Sequence, residues 1–528
     1  MTDFRQVCLL SQLQEGQGHE ARVNGRPLAL FRRGERVYAL EDRCPHREGQ
    51  LSRGHCDGGD AVCPLHGWNF DLETGVSPYN PKDAIATYPV EVRDGAVYID
   101  AATVPPLPAT TFDGYQARWR RWYQDARGHY AVRRLAKGKP PLVEAMGAMP
   151  EPLSLPVGLD HFHLRAGQLA RMPRLKDEAV STRVTLGAGA GRPLELAVPA
   201  FVSHMSFGAL GREAKIALAR GAKAAGVAIG SGEGGMLPAE REAAGAYILE
   251  MASGYFGWDE AAIGRADAVE IKVGQSAKPG LGGELPAGKV TAEIAQVRGL
   301  EPGHDAISPA RFPDLDDLEA MGQRIAELRG RWPDLPVGVK VVANDVEADV
   351  AAALALGPDF VTVDGFGGGT GAAPVHIREQ FGLPIVQALP RARRLVDAHN
   401  AAHPERPVAL VATGALRTPE DVTKALALGA DACALATAAL FALGCEYYRA
   451  CETGECPVGI TTHTPELRER LDVETGGGRV ARFFHGLAAV VEDYLRAMGH
   501  ETVADLGPDD LVPLTREAEA VLGGTGGL

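Results

Sequence analysis

The sequence predicts a multidomain chain: an all-β N-terminal module followed by an α/β barrel of the TIM, or (β/α)8, type. Three observations predict it. The first hundred residues read as short strands separated by turns. The stretch "AATVPPLPATTFDG" is Pro-rich and polar and reads as a linker. From about residue 195 apolar runs alternate with Ala-rich helical stretches.

In chain order, "VCLLSQ", "PLALFRR", "RVYALED" and "AVYID" are the strands expected of the first module, residues 1–104. Residues 105–170 are expected to be linker and bridging helices, aromatic at first in "YQARWRRWYQ". The barrel is expected over 171–528. Its apolar runs are "LAVPAFVSHM", "GVAIGS", "AVEIKV", "VGVKVV", "DFVTVD", "PVALVATG" and "DACALA". Helical stretches such as "EAKIALARGAKAAG" and "TPEDVTKALALG" lie between them, the latter with Pro in its first turn. Repeated strand–helix units imply a parallel sheet, and about eight imply a barrel. A doubly wound sheet is disfavoured, because no Gly-x-Gly-x-x-Gly follows the first strand.

Composition bounds the function. The 528 residues are 45% hydrophobic and 23% charged, with net charge −14, as in ordinary soluble proteins of two or three domains. Basic runs such as "RWRRW" are too short for a nucleic-acid footprint. The N-terminus lacks a signal pattern, and no apolar run approaches a membrane span. Seven of the eight cysteines lie in or near two clusters, which points to metal binding in a reducing compartment, the cytoplasm. Association into a homo-oligomer is left open.

The first cluster is "CPHREGQLSRGHCDGGDAVCPLHGW". Cys44 and His46 are followed, after sixteen residues, by Cys63 and His66. Two such clips could hold tetrahedral zinc or pinch a [2Fe–2S] cluster from both sides. The flanking glycines and the "CPLHGW" run favour the cluster, and residues 4–100 resemble Rieske domains. In that ligation two thiolates bind one iron and two imidazoles the other. Cys56 and His55 fall in the connecting loop as non-ligands. Rieske proteins of respiratory complexes resemble one another in a disulfide between the two loops; here those places hold Gly49 and Leu65. Their Ser and Tyr donors to sulfur are replaced by Trp68 and Phe70. Fewer such hydrogen bonds imply a low potential, about −150 mV.

The barrel's predicted strand ends are rich in small and polar residues: "SHMSFG", "GSGEGG", "VDGFGGGTGAAP", "ATGALRTP" and "ALATAAL". Glycine lets backbone N–H groups approach an anion, so several such loops point to a phosphorylated ligand. With "QSAKPGLGGELP" and "LGCEYYRACETGECPVG", these motifs make residues 170–500 similar to the FMN-binding domain of glutamate synthase and its shorter relatives. The last motif spaces Cys445, Cys451 and Cys456 by five and four residues before Pro-Val-Gly. In the family this spacing holds a [3Fe–4S] cluster beside the flavin. Cys433, in an expected strand, reads as a buried apolar residue.

The resemblance implies further roles. Ser203, Met205 and Ser206 line the flavin. Lys340 sits near its N1–C2=O edge, where a cation stabilises the anionic reduced form. Gly367, Gly368, Gly369, Thr370, Gly414, Ala436 and Thr437 hold its phosphate tail. Lys272, Lys278 and Arg298 match positions binding the carboxylates of 2-oxoglutarate, and Glu233 an acidic residue near the reacting carbon. Glu284 stands where the family has a Gln of the 2-oxo acid subsite. It either faces the substrate, disfavouring a second carboxylate there, or points away and pairs with a lysine.

The chain begins Met1-Thr2-Asp3, without the family's N-terminal glutaminase cysteine, so no glutamine hydrolysis in cis is expected. No pyridine-nucleotide motif is visible either. The expectation is an iron–sulfur flavoprotein that acts on a C–N or C=N bond of a small amino or 2-oxo acid. It would exchange electrons through both clusters with an external redox protein, a ferredoxin or a reductase. The alternatives are an amine transferase like N-methylglutamate synthase, or a redox component with no substrate of its own. Nucleic acid and membrane are not expected partners.

Overall fold

The structure is a computed structural model that describes residues 2–45, 49–65, 67–78, 83–106, 143–144, 146 and 157–523. It divides into two compact units, Met1–Pro140 with Glu446–Tyr448, and Pro141–Cys445 with Arg449–Leu528.

The N-terminal unit is built of antiparallel strands. Gly18–Val23, Arg26–Arg33, Arg36–Glu41 and Thr87–Tyr88 form a four-stranded sheet. Phe4–Leu9, Ala96–Asp100 and Val90–Arg93 form a second sheet, and His55–Asp57, Asp60–Val62 and Asn69–Asp71 a third. Two hairpins turn on Asn24-Gly25 and Asp94-Gly95, all four residues at positive φ. These are the residue pairs that a two-residue turn matching strand twist requires. Leu28, Leu30, Val97 and Ile99 are fully buried in one core cluster. Phe31, Leu40, Trp68 and Phe70 anchor a second cluster, which also contains Cys44 and Cys63.

Eight parallel strands close the barrel in the second unit: Ala200–Val202, Ala228–Gly230, Ala246–Met251, Ala268–Lys272, Val337–Val342, Phe360–Asp364, Ala409–Thr413 and Ala432–Leu435. Closure is made by the first strand pairing with the last, Ala200 opposite Cys433. Seven strands fall within the apolar runs of the sequence. The third, in "AYILEM", is additional. It follows a helix of only six residues, Pro238–Ala243, so the strand–helix rhythm is muted there. The helix Pro419–Ala427 carries Pro at its start and a capping box between Thr418 and Asp421. Two helices, Arg212–Ala224 and Val473–Met498, approach so closely that a Cβ on Gly221 would lie 2.5 Å from Val480 Cβ.

Most of the expected 105–170 linker lies outside the described residues. Its last part differs from the helices expected: Phe162–Leu164 is a strand paired antiparallel with Leu511–Pro513, inside the barrel unit. Among the described residues no helix is long and apolar enough to cross a membrane.

Candidate functional site

In the N-terminal unit, Cys44 and Cys63 are almost completely buried, at 1% and 2% exposure. The Cys44 N–H donates to Gly49 O at 2.9 Å, and the Cys63 N–H to Trp68 O at 2.8 Å. Each loop is thereby folded back on itself. A Cβ on Gly49 would meet Cys63 Sγ at 2.8 Å and Leu65 Cδ1 at 3.0 Å. The two loops therefore touch at Gly49 and Leu65, the places a disulfide would occupy, and the thiol of the second loop faces the first. The predicted partners His46 and His66 lie outside the described residues. Cys56 sits on the strand His55–Asp57, and burial pushes its thiol up to about 11. Trp68 and Phe70 are core residues.

In the barrel one cavity opens at the C-terminal ends of the strands, where a barrel of this type places its chemistry. Ser203, Met205, Ser206, Lys340, Gly367, Gly368, Gly369, Thr370, Gly414, Ala436 and Thr437 all line it. So do Glu233, Lys272 and Cys451. Lys340 is buried, and its Nζ lies 3.7 Å from Asp364 Oδ2. Asp364 also accepts from the N–H and hydroxyl of Ser276 at 3.0 and 2.9 Å, which fixes its carboxylate. A Cβ on Gly368 would meet Ser276 Oγ at 2.1 Å, so that loop admits only glycine there. Gly414 has φ +108 and packs against the Gly365 backbone.

Glu233 and Lys272 form an ion pair at 2.7 Å at the cavity wall. Burial alone would raise the Glu233 carboxyl, but Lys272, Lys278 and Arg298 outweigh it and bring it down to about 2. Burial works against the Lys272 ammonium, yet Glu233 and Glu250 hold it above its ordinary range. Gly283 lies under the same carboxylate: a Cβ there would fall 1.8 Å from Glu233 Oε1. Lys278 and Arg298 are buried beside Glu233 rather than on the cavity surface, and burial lowers both, Arg298 to about 10. The Arg298 guanidinium donates to Phe207 O at 2.8 Å and to Ser206 Oγ at 3.3 Å, and it lies over the Phe256 ring. Glu284 is exposed on the short strand Glu284–Leu285 and does not line the cavity. Its charge acts on Lys278.

Cys456 lies close enough that its charge acts on Cys451. Burial first, and then Cys456, push Cys451 up to about 11. Lys289, itself buried, donates to Cys451 O at 2.8 Å. Cys445 follows the helix Thr437–Leu443. Cys433 is fully buried in the last barrel strand.

Several cavity residues escaped the sequence reading: His204, Glu250, Gln275 and Asp364, together with Glu270 just behind the wall. The signal for Glu270 was a carboxylate inside the apolar run "AVEIKV". Glu250 was hidden in the strand that the apolar runs missed. Gln275 bridges the site, with Lys272 donating to its Oε1 at 3.4 Å and its Nε2 donating to Thr370 Oγ1 at 3.2 Å.

Comparison with known proteins places both parts. Residues 169–501 match the family described as the conserved region in glutamate synthase, and residues 3–89 match the Rieske [2Fe–2S] domain. The archaeal glutamate synthase [NADPH] of Methanocaldococcus jannaschii is 40% identical over 316 residues, 59% of this chain and 61% of that protein. The glutamate synthase large subunit-like protein of Rhizobium meliloti is 36% identical over 441 residues, 79% of this chain and 94% of that protein. Against the archaeal protein and the archaeal-type enzymes of Thermotoga, the chain spans about three fifths of the relatives' length. The conserved region takes in every barrel strand and every lining residue of the cavity but Met146, and the chain belongs to the glutamate synthase family, with a Rieske [2Fe–2S] domain ahead of that region.

Proposed function

We propose that this chain is an iron–sulfur flavoprotein oxidoreductase acting on the C–N or C=N bond of a small amino or 2-oxo acid. The observation that carries the reading is the Glu233–Lys272 pair at the wall of a cavity that also collects all eleven residues expected to hold FMN. The residues suit that group: the glycines at 367, 368 and 414 leave backbone uncovered, and Lys340 supplies a buried cation. When bound, FMN would supply hydride exchange, and the clusters one-electron exchange with an external redox protein. Cys445, Cys451 and Cys456 would hold the [3Fe–4S] cluster. Cys44 and Cys63, with His46 and His66, would hold the Rieske cluster.

The chain's own residues divide the remaining work. Lys278 and Arg298 are buried cations behind the cavity wall beside Glu233 and would attract a substrate carboxylate by their charge. Lys272 stays protonated, because two carboxylates face it at 2.7 and 3.2 Å. It can therefore donate a hydrogen bond or a proton to a substrate nitrogen. Glu233 stays ionised through the neutral range and keeps that ammonium aimed at the cavity. The test is an anaerobic screen in which bleaching or reoxidation of the bound flavin is followed against amino acids, amines and 2-oxo acids with ammonia. A spectral response to one of these classes is expected. A flavin indifferent to all of them would overturn the reading in favour of a redox component.

A further inference from the structure

His204 follows the first barrel strand and sits between two carboxylates from the third and fourth. Its Nδ1 lies 3.4 Å from Glu250 Oε2 and its Nε2 lies 3.0 Å from Glu270 Oε2. All three side chains are at most 4% exposed. One atom from each comes within 4.8 Å of the other two. Neither contact is aligned as a hydrogen bond, so His204 Nε2, Glu250 Oε2 and Glu270 Oε2 are buried without a hydrogen-bond partner. Meanwhile the Gly232 N–H donates to His204 Nδ1 at 3.2 Å, which requires a lone pair on that nitrogen. The cluster therefore has two self-consistent states that differ by one proton. With Nδ1 unprotonated it takes the Gly232 bond; with Nδ1 protonated it donates to Glu250.

The imidazole is held where it is. A Cβ on Gly230 would fall 2.6 Å from His204 Nδ1, so only glycine leaves room for the ring. Glu270 is fixed from its other side by the Thr362 hydroxyl. Glu250 is shared: its Oε1 accepts from Lys272 Nζ at 3.2 Å while its Oε2 faces the imidazole. Lys272 in turn pairs with Glu233 at the cavity. The groups stand in one row, Glu270, His204, Glu250, Lys272, Glu233, with facing polar atoms 2.7 to 3.4 Å apart. The other charges acting on it include Lys278 and Arg298, on Glu233, Lys340, on Glu270, and the buried Glu240, near His204.

We propose that His204 and Glu250 are a buried proton store for the reaction in the cavity, connected to it through Lys272. The proposal rests on the function proposed above. Reduction of an imine adds hydride to carbon, here from a dihydroflavin, and a proton to nitrogen. Lys272 Nζ gives that proton to the nitrogen; a protonated His204 passes its Nδ1 proton to the Glu250 carboxylate, and Glu250 hands it on to the Lys272 amine, which leaves the imidazole neutral with Nδ1 free to accept from Gly232. Amine oxidation runs the same transfers backwards. His204 acts through Lys272 and is a positioning residue.

The experiment uses flavin-loaded full-length protein and the compound selected by the screen. Anaerobic rapid mixing across the neutral pH range should show one ionisation in the wild-type rate of flavin oxidation or reduction. His204→Gln and Glu250→Gln should bind flavin, lose that ionisation and slow the step about 100-fold, with a larger solvent deuterium effect. Wild-type rate and pH profile in both variants would overturn the proposal. A readout independent of substrate is the infrared difference spectrum on photoreduction of the bound flavin. A carboxylic-acid C=O band, shifted in deuterated water and absent from Glu250→Gln, is expected in wild type. Its absence from wild type would overturn the store even where the screen succeeds. Its presence with an unresponsive screen would instead sink only the substrate assignment.

Discussion

Replacing Lys215 with Met tests how the cavity floor is held. Lys215 is fully buried on the helix Arg212–Ala224, and its Nζ lies 2.7 Å from Glu240, also fully buried. The ammonium donates to Met205 O at 2.5 Å and to Ser231 O at 2.9 Å, two carbonyls of the loops under the cavity. Tyr247 donates a hydrogen bond to Glu240 at 3.0 Å. Burial pushes Glu240 up to about 7, with Lys215 and Tyr247 holding it down. Removing the lysine leaves a buried carboxyl and two carbonyls without their donor. Breaking such a pair costs about 3–5 kcal/mol, whereas replacing both partners with neutral groups costs far less. An entropy of about 2.1 cal/mol/K per residue over a unit of about 385 residues converts about 4 kcal/mol into a fall of roughly 5 °C. Calorimetry that follows the barrel transition checks this. Lys215→Met should lower it by about that amount, and Lys215→Met with Glu240→Gln should recover more than half. A single variant within about 1 °C of wild type, or a double variant worse than the single, would refute the account.

Four further outcomes are expected. Gly283→Ala should displace the Glu233 carboxylate, since the new Cβ falls 1.8 Å from Oε1, and substrate turnover should drop while flavin content is retained. The Glu233 carboxyl is held at about 2 in the fold against an ordinary 4.5, so its contribution is complete above 4.5 and is lost as pH falls through about 2. Acid titration of wild type against Glu233→Gln should show roughly 3 kcal/mol of that loss in wild type and none in the variant. Cys451→Ser should abolish a [3Fe–4S] signal in electron paramagnetic resonance and leave the Rieske signal intact; unchanged signals and iron content would remove the cluster assignment. The Rieske midpoint should fall near about −150 mV, because Trp68 and Phe70 replace the residues that donate to sulfur; a midpoint well above zero would contradict it.

The legible parts of the sequence are those where local chemistry and the fold agree. Asn24-Gly25 and Asp94-Gly95 announce their hairpins, and Thr418-Pro419 with Asp421 announces a helix start. The strand-end glycines of the barrel were readable because close backbone approach admits little else. The third strand was not, since a six-residue helix gives too weak a period to frame it. In the row from Glu270 to Glu233, Lys272 and Glu233 were named from the sequence, but His204, Glu250 and Glu270 were not, nor was the row itself. Its members come from two strands and two loops, and their adjacency exists only once the barrel closes. Glu284 was open to two readings from its place in a family motif, and the short hairpin with Ala306–Ile307 leaves it exposed and off the cavity.

The charge balance around Glu233 argues for the class of molecule the site receives. Glu233 is shared by three cations, Lys272, Lys278 and Arg298. Lys272 has a second carboxylate, Glu250, and is held above its ordinary range. Lys278 and Arg298 have less: burial lowers both, and the carboxylate that most offsets this is the same Glu233. Two buried cations are thus served by a counter-charge already committed to Lys272. Leaving such cations under-compensated costs free energy in the empty protein. A ligand carboxylate placed beside them returns that cost on binding, because it raises both groups toward their ordinary range. A neutral or cationic amine lacking a carboxylate gains nothing from this arrangement. This arrangement favours the proposed amino or 2-oxo acid over a simple amine. Affinity for such a ligand should fall with rising pH, as Lys278, lowered from the ordinary lysine range, loses its proton before an exposed lysine would.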